Sequence, residues 1–127
     1  MKRTTIDDLL AAARQGLQRL SPVQAAQAVA AGALLVDTRC AELRKRDGIV
    51  PGAAHIPLSV LFWRLDPDAE PRDPDAADLD RQVVLLCEHG YSSSMAAATL
   101  RQLGYSRATD VIGGFEAWRA HGLPVTA

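Results

Sequence analysis

Two short, unbroken apolar runs set the terms on which this chain can fold. Ala33-Leu34-Leu35-Val36 and Val83-Val84-Leu85-Leu86 show no alternation of polar and apolar residues. Strands of that kind are buried on both faces, the pattern of a parallel sheet covered by helices. The segments around them fit. Ile6, Leu9, Leu10, Ala13, Leu17 and Leu20 recur at helical spacing, and Thr5 with Asp8 forms a capping-box pattern, so a first helix is expected over residues 5–20. Ser21-Pro22 opens a second helix to about Ala31, with proline at its first position and Gly32 as its stop. Ala41 to Gly48 holds about one helical turn, Ala54 to Leu58 a short strand, Ser92-Ser93-Ser94 the cap of a helix through Leu103, Thr109 to Ile112 a last strand and Phe115 to His121 a last helix. Residues 66–80 carry seven of the fifteen acidic residues and three of the seven prolines and read as a solvated loop. Strands alternating with helices define an α/β domain with a mainly parallel central sheet flanked by helices.

A chain of 127 residues is one domain's worth, large enough to remove roughly two-thirds of its unfolded surface from water without staples. Its 48% hydrophobic content includes 22 alanines, so large apolar side chains are fewer than that fraction suggests. Fourteen basic residues against fifteen acidic ones, with no basic patch, argue against a nucleic-acid partner. No apolar run approaches the roughly 18 residues of a membrane span, and the first eight residues lack a signal-peptide core. The expectation is a cytoplasmic protein. Its two cysteines, Cys40 and Cys87, are too few for a disulfide framework and match no zinc-ligand spacing, so no metal site is expected and each is read as a free thiol.

In parallel sheets, ligands bind beyond the carboxyl ends of the strands. The segments beginning at Asp37, Ser59, Cys87 and Gly113 each follow a strand and should gather on one edge. The loop Cys87-Glu88-His89-Gly90-Tyr91-Ser92-Ser93 stands out there. Gly90 permits tight curvature, so backbone N–H groups can turn inward around the sulfur. Those amides and the N-terminus of the following helix both favour a thiolate, which makes Cys87 the candidate nucleophile.

At this loop the sequence resembles the rhodanese family of sulfurtransferases, whose signature is Cys-x-x-Gly-x-Arg-Ser; Cys87, Gly90 and Ser93 match it. The resemblance spans about residues 21–125 and includes Leu35-Val36-Asp37-Thr38-Arg39, Pro51-Gly52-Ala53-Ala54-His55-Ile56-Pro57 and Gly113-Gly114-Phe115-Glu116-Ala117-Trp118. The loop looks most like that of single-domain bacterial thiosulfate sulfurtransferases, some of which carry serine where others carry arginine. The resemblance implies a rhodanese-like domain over residues 21–127, with residues 1–20 as an added N-terminal helical extension. It also implies a Cys87 thiolate that takes sulfur from a thiosulfate-like anion as a persulfide and passes it to a thiol or to cyanide. No metal or organic cofactor is needed.

Two departures bear on the donor. Ser92 offers a hydroxyl where the family's arginine often stands, and Glu88 places an acid beside the nucleophile. His89 or Arg64, which follows Phe62-Trp63, could supply a replacement cation, whereas Arg44, Lys45 and Arg46 read as solvated surface. The candidate set is thus Cys87 as catalytic residue, with Glu88, His89, Gly90, Tyr91, Ser92, Ser93 and Arg64 binding substrate. Asp37 and Arg39 are expected to tie strand ends together, His55 to be a satisfied core histidine, Trp118 to be core and Cys40 to be a buried thiol. The N-terminal helix should pack its leucine stripe on its own domain, with a homodimer contact as the alternative. A non-catalytic persulfide-sensing or partner-binding module is the alternative function. Phosphatases of related scaffold place arginine six positions after the cysteine, which here is Ser93, so no phosphatase activity is expected.

Overall fold

The computed structural model describes residues 2–127. Four strands, β1 (Leu34–Asp37), β2 (Ala54–His55), β3 (Val83–Leu86) and β4 (Ala108–Asp110), form one sheet in the order β2-β1-β3-β4. Every pairing is parallel, with Val36 opposite Leu85 and Leu85 opposite Asp110. Around the sheet lie α1 (Ile6–Arg14), α2 (Pro22–Ala30), α3 (Ala41–Asp47), α4 (Leu61–Leu65), α5 (Ser92–Gln102) and α6 (Gly114–Ala120).

The apolar runs behave as strands with two buried faces. Along β3, Val83 and Leu85 join Val36, Leu61, Leu65, Ala96, Ala97, Leu100 and Tyr105 in one core. Val84 and Leu86 point the other way, to Ala25, Leu35, Phe115 and Trp118. The period of two along a strand therefore divides one four-residue run between two helix–sheet interfaces.

Several boundaries differ from the sequence reading. The first helix stops at Arg14, because Leu20 is drawn onto the sheet edge: its N–H donates to Asp110 O at 3.1 Å and its carbonyl accepts from Ile112 N at 2.8 Å. Strand-like pairing there replaces the helix's last turns. The leucine stripe is also less buried than expected. No residue of α1 is buried, and Ile6 and Leu9 are 64% and 48% exposed. Residues 41–47 make two turns rather than one, and the strand at 54 lasts only two residues. His55 is exposed, not core, with its Nε2 on the Arg39 carbonyl at 2.8 Å. Cys40 is exposed as well, at the N-cap of α3. Trp118 is buried, as expected.

The acidic segment 66–80 lacks regular structure but is anchored. The fully buried Tyr105 donates its hydroxyl proton to Leu65 O at 2.6 Å and accepts from Asp78 N at 3.1 Å. Burial pushes its phenol pKa up. Among the described residues no helix is long and apolar enough to cross a membrane. Tyr105→Phe removes both hydrogen bonds while keeping the ring. It should cost about 1–2 kcal/mol in urea unfolding and increase proteolytic cleavage within residues 66–80.

Candidate active site

The all-parallel sheet brings the carboxyl ends of β1, β3 and β4 to one edge, and Cys87 follows β3 there at 6% exposure. Its sulfur accepts a hydrogen bond from Gly90 N at 3.1 Å and donates one to Ser93 Oγ at 3.1 Å. The curvature that allows this depends on Gly90, whose φ is +83°. A Cβ at Gly90 would come within 2.8 Å of Gly113 N, so no side chain fits between the two turns. Gly114 faces the same constraint from the other side, with φ +64° and a Cβ position 2.7 Å from Gly90 N. The glycine pair of the last turn thus lets the start of α6 press against the cysteine loop. Phe115 N donates to Cys87 O at 2.7 Å and Glu116 N to Glu88 O at 3.1 Å.

The serines of α5 do not cap it as the sequence suggested. Tyr91 is the N-cap, with no side-chain bond, and Ser93 and Ser94 lie buried within the first turn. Each hydroxyl donates to Asp110 Oδ2 at 2.7 Å. Asp110 has no exposed surface and is paired with Arg19, whose Nε is 2.8 Å from Oδ1. A buried carboxylate at the end of β4 therefore reaches the Cys87 sulfur through the Ser93 hydroxyl.

Glu88 is not a free acid beside Cys87. Its Oε1 lies 3.2 Å from Arg39 Nη1 and its Oε2 3.9 Å from Arg46 Nη2. The expected pairing of Asp37 and Arg39 is present at 2.9 Å, and Arg44 adds a second cation to Asp37 at 3.2 Å. Arg39 is 3% exposed, stacks 3.8 Å from the Phe115 ring centre and donates to Gly48 O at 2.8 Å. Burial works against its charge, but Asp37 and then Glu88 outweigh that and raise its pKa. The hydrogen bond from Arg46 holds the Asp47 carboxyl well below the usual carboxylate range, and Arg119 adds to the effect. Arg44 and Arg46, read as solvated surface, thus belong to one ion-pair network with the loop.

The remaining candidates lie at the mouth or away from it. His89 Nδ1 is 3.1 Å from Glu116 Oε2, so its first electrostatic partner is an acid of this chain. His89, Tyr91, Gly113, Glu116, Ala117 and Ala120 line a cleft of about 300 Å³ beside the loop. Tyr91 and Ser92 are exposed. Arg64 is also exposed and donates to Pro71 O at 3.0 Å; it makes no hydrogen bond to the cysteine loop among the described residues. That places it as an anchor of the acidic segment.

Sequence reasoning missed two residues. Arg14 donates to Gly90 O at 2.8 Å and to Ser94 Oγ at 3.0 Å, and Arg19 Nη2 donates to Gly90 O at 3.0 Å. Both come from the N-terminal extension. Their only sequence signal was an arginine interrupting an apolar helical stripe, which reads equally well as solvated surface. Among the described residues no group of three or more His, Cys, Asp or Glu side chains could hold a metal ion.

Comparison with known proteins agrees with this architecture. The thiosulfate sulfurtransferase GlpE of Pseudomonas savastanoi is 41% identical over 103 residues, 81% of this chain and 88% of its own length. A sulfurtransferase of Allochromatium vinosum is 37% identical over 95 residues, 74% of this chain and 78% of its own. Among solved structures, a Rhodopseudomonas palustris protein of unknown function, described as a possible tyrosine phosphatase, superposes with a TM-score of 0.89 at 28% identity. That overlap covers 99% of both chains and so takes in the N-terminal helix. The rhodanese-like domain family matches residues 21–121, and with these relatives and this fold the chain belongs to that family.

Proposed function

We propose that this protein is a thiosulfate sulfurtransferase that carries sulfur on Cys87. The observation that carries the reading is the sulfur itself, held at the strand end with a backbone N–H aimed at it, in a loop whose next residues, Tyr91 and Ser92, are exposed. The relatives named sulfurtransferase support the same chemistry. In the first half-reaction the Cys87 thiolate attacks the outer sulfur of thiosulfate. A new S–S bond forms, the S–S bond of thiosulfate breaks, and its electron pair leaves with sulfite. In the second, a thiolate or cyanide attacks the terminal sulfur of the persulfide, and the electron pair of the broken bond returns to Cys87. No electrons are gained or lost overall, so no redox cofactor enters. The acceptor on this reading is a small molecule, in keeping with the 6% exposure of Cys87, and a reducing, cytoplasmic setting would keep both cysteines free.

The hydrogen bonds give the loop residues distinct roles. Gly90 N–H stabilises negative sulfur before and after transfer. Ser93 has one proton, given to Asp110 while Cys87 is a thiol. Once Cys87 is ionised, that hydroxyl can turn to the sulfur, because Asp110 keeps Ser94 and Arg19 as donors. Glu88, tied to Arg39, holds the loop instead of repelling the donor.

The phosphatase description of the Rhodopseudomonas relative does not fit these residues. The position six after the cysteine is Ser93, and the nearby guanidinium groups of Arg14, Arg19 and Arg39 are aimed at Gly90 O, Asp110 and Glu88. Among the described residues none of these three guanidinium groups is left as a bidentate fork for phosphoryl oxygens. Aryl phosphate turnover at wild-type Cys87 should stay at background in a colorimetric assay, and turnover abolished by Cys87→Ser would reverse this.

Incubation with thiosulfate should add one sulfur atom to the intact mass, removable by cyanide and absent in Cys87→Ser. A wild-type chain that takes no sulfur from several donors would favour the non-catalytic module instead. Ser92→Arg, at an exposed site in the first turn of α5, should lower the apparent KM for thiosulfate several-fold, about 1 kcal/mol, with little change in the acceptor half-reaction. An unchanged KM in a folded variant would show that donor capture does not depend on a cation at this position.

A further inference from the structure

We propose that the N-terminal helix is a working part of the active site, with Arg14 as a positioning residue that supplies, from behind the loop, the positive charge that position 92 lacks. This rests on the sulfur-transfer reading above. The helix lies outside residues 21–121, so membership of the family assigns it no role.

The first observation is geometric. The Gly90 carbonyl accepts from two guanidinium groups, Arg14 at 2.8 Å and Arg19 at 3.0 Å. A trans peptide points its N–H opposite to its C=O, so fixing this carbonyl on the arginines sends the Tyr91 N–H to the other side. Among the described residues that N–H has no acceptor within the protein. The clamp therefore fixes the plane of the 90–91 peptide and keeps one donor of the loop free for an anion.

The second observation is charge. Arg19 is matched by Asp110, but Arg14 has no carboxylate partner among the described residues and bonds only to Gly90 O and Ser94 Oγ. Two arginines against one carboxylate leave a net +1 one peptide away from the cysteine cradle. Both bonds of Arg14 are partly buried, where a charge is screened less than in bulk water. The half-reactions differ in what they ask of it. Loading brings a thiolate and a dianion together, three negative charges in all, whereas discharge by cyanide brings together two. A fixed cation behind the loop favours the first more than the second.

Single-turnover measurements on the full chain would separate charge from packing. Arg14→Gln keeps a donor near Gly90 O but removes the charge; it should slow thiosulfate loading about 3- to 10-fold while cyanide discharge changes less than about 2-fold. Arg14→Lys, which restores the charge, should recover most of the loading rate. Arg19 still holds Gly90 O and Asp110 still holds Ser94 in these variants, so folding should persist. If Gln at this position fails a thermal melt, Arg14→Met makes the same comparison with the apolar stem retained. Equal slowing of both half-reactions without rescue by lysine, wild-type rates in Arg14→Gln, or unfolding of both neutral variants would each overturn the proposal. In all of those cases the wild-type protein still loads sulfur; a wild type that does not load would overturn the sulfurtransferase reading instead.

Discussion

Asp110 is the residue on which the arrangement of this edge depends. A carboxylate with no exposed surface costs several kcal/mol in lost hydration unless it is paired and fully hydrogen-bonded. Here the Ser93 and Ser94 hydroxyls and the Arg19 guanidinium do both. Satisfying that one anion fixes the first turn of α5, ties the N-terminal extension to β4 and sets where the Ser93 oxygen meets the sulfur. Loss of all three would leave a bare buried charge, whereas Ser94 and Arg19 together still hold Asp110 when the Ser93 hydroxyl turns to the sulfur.

The edge carries a second cluster of the same kind. Asp37, at the end of β1, is as fully buried as Asp110 and is matched by Arg39 and Arg44. Cys87 directly follows β3, the strand that lies between those ending in these two carboxylates. Two fixed anions flanking a thiol would oppose its ionisation if left bare. The arginines turn that opposition around. Asp37, Asp47 and Glu88 face Arg39, Arg44, Arg46 and Arg119, an excess of one cation, and the Asp110 cluster has the same excess. Ion pairing on both flanks, and not an arginine in the loop, thus compensates the two buried carboxylates.

What the sequence disclosed was what short-range chemistry encodes. The runs at Leu34–Asp37 and Val83–Leu86, the caps at Thr5 and Ser21 and the Cys87–Gly90 turn depend on neighbours a few residues away, and each was readable. The Asp37–Arg39 pair, two residues apart, was readable for the same reason. Arg14 and Arg19 were not, because their partners lie 71 to 91 residues along the chain, where spacing carries no information. The first helix was drawn too long because helical periodicity through Leu20 says nothing of the β4 edge that competes for its backbone. The partners of Glu88 and His89 were out of reach for the same reason. A charge's effect depends on which partner the fold delivers, and Arg39 and Glu116 come from other elements.

Distance along the chain also means distance in time. During synthesis the segment bearing Arg14 and Arg19 emerges first, while Asp110 is made 91 residues after Arg19. At ribosomal speeds of roughly 5–20 residues per second, the arginines wait on the order of 5–20 s before their carboxylate exists. For that interval Arg14 and Arg19 stand without their partners, and the helix that ends at Arg14 shows an apolar side at Ile6 and Leu9, a segment that a chaperone could hold. Closure of the cysteine loop is then a late event, completed only after β4 has docked.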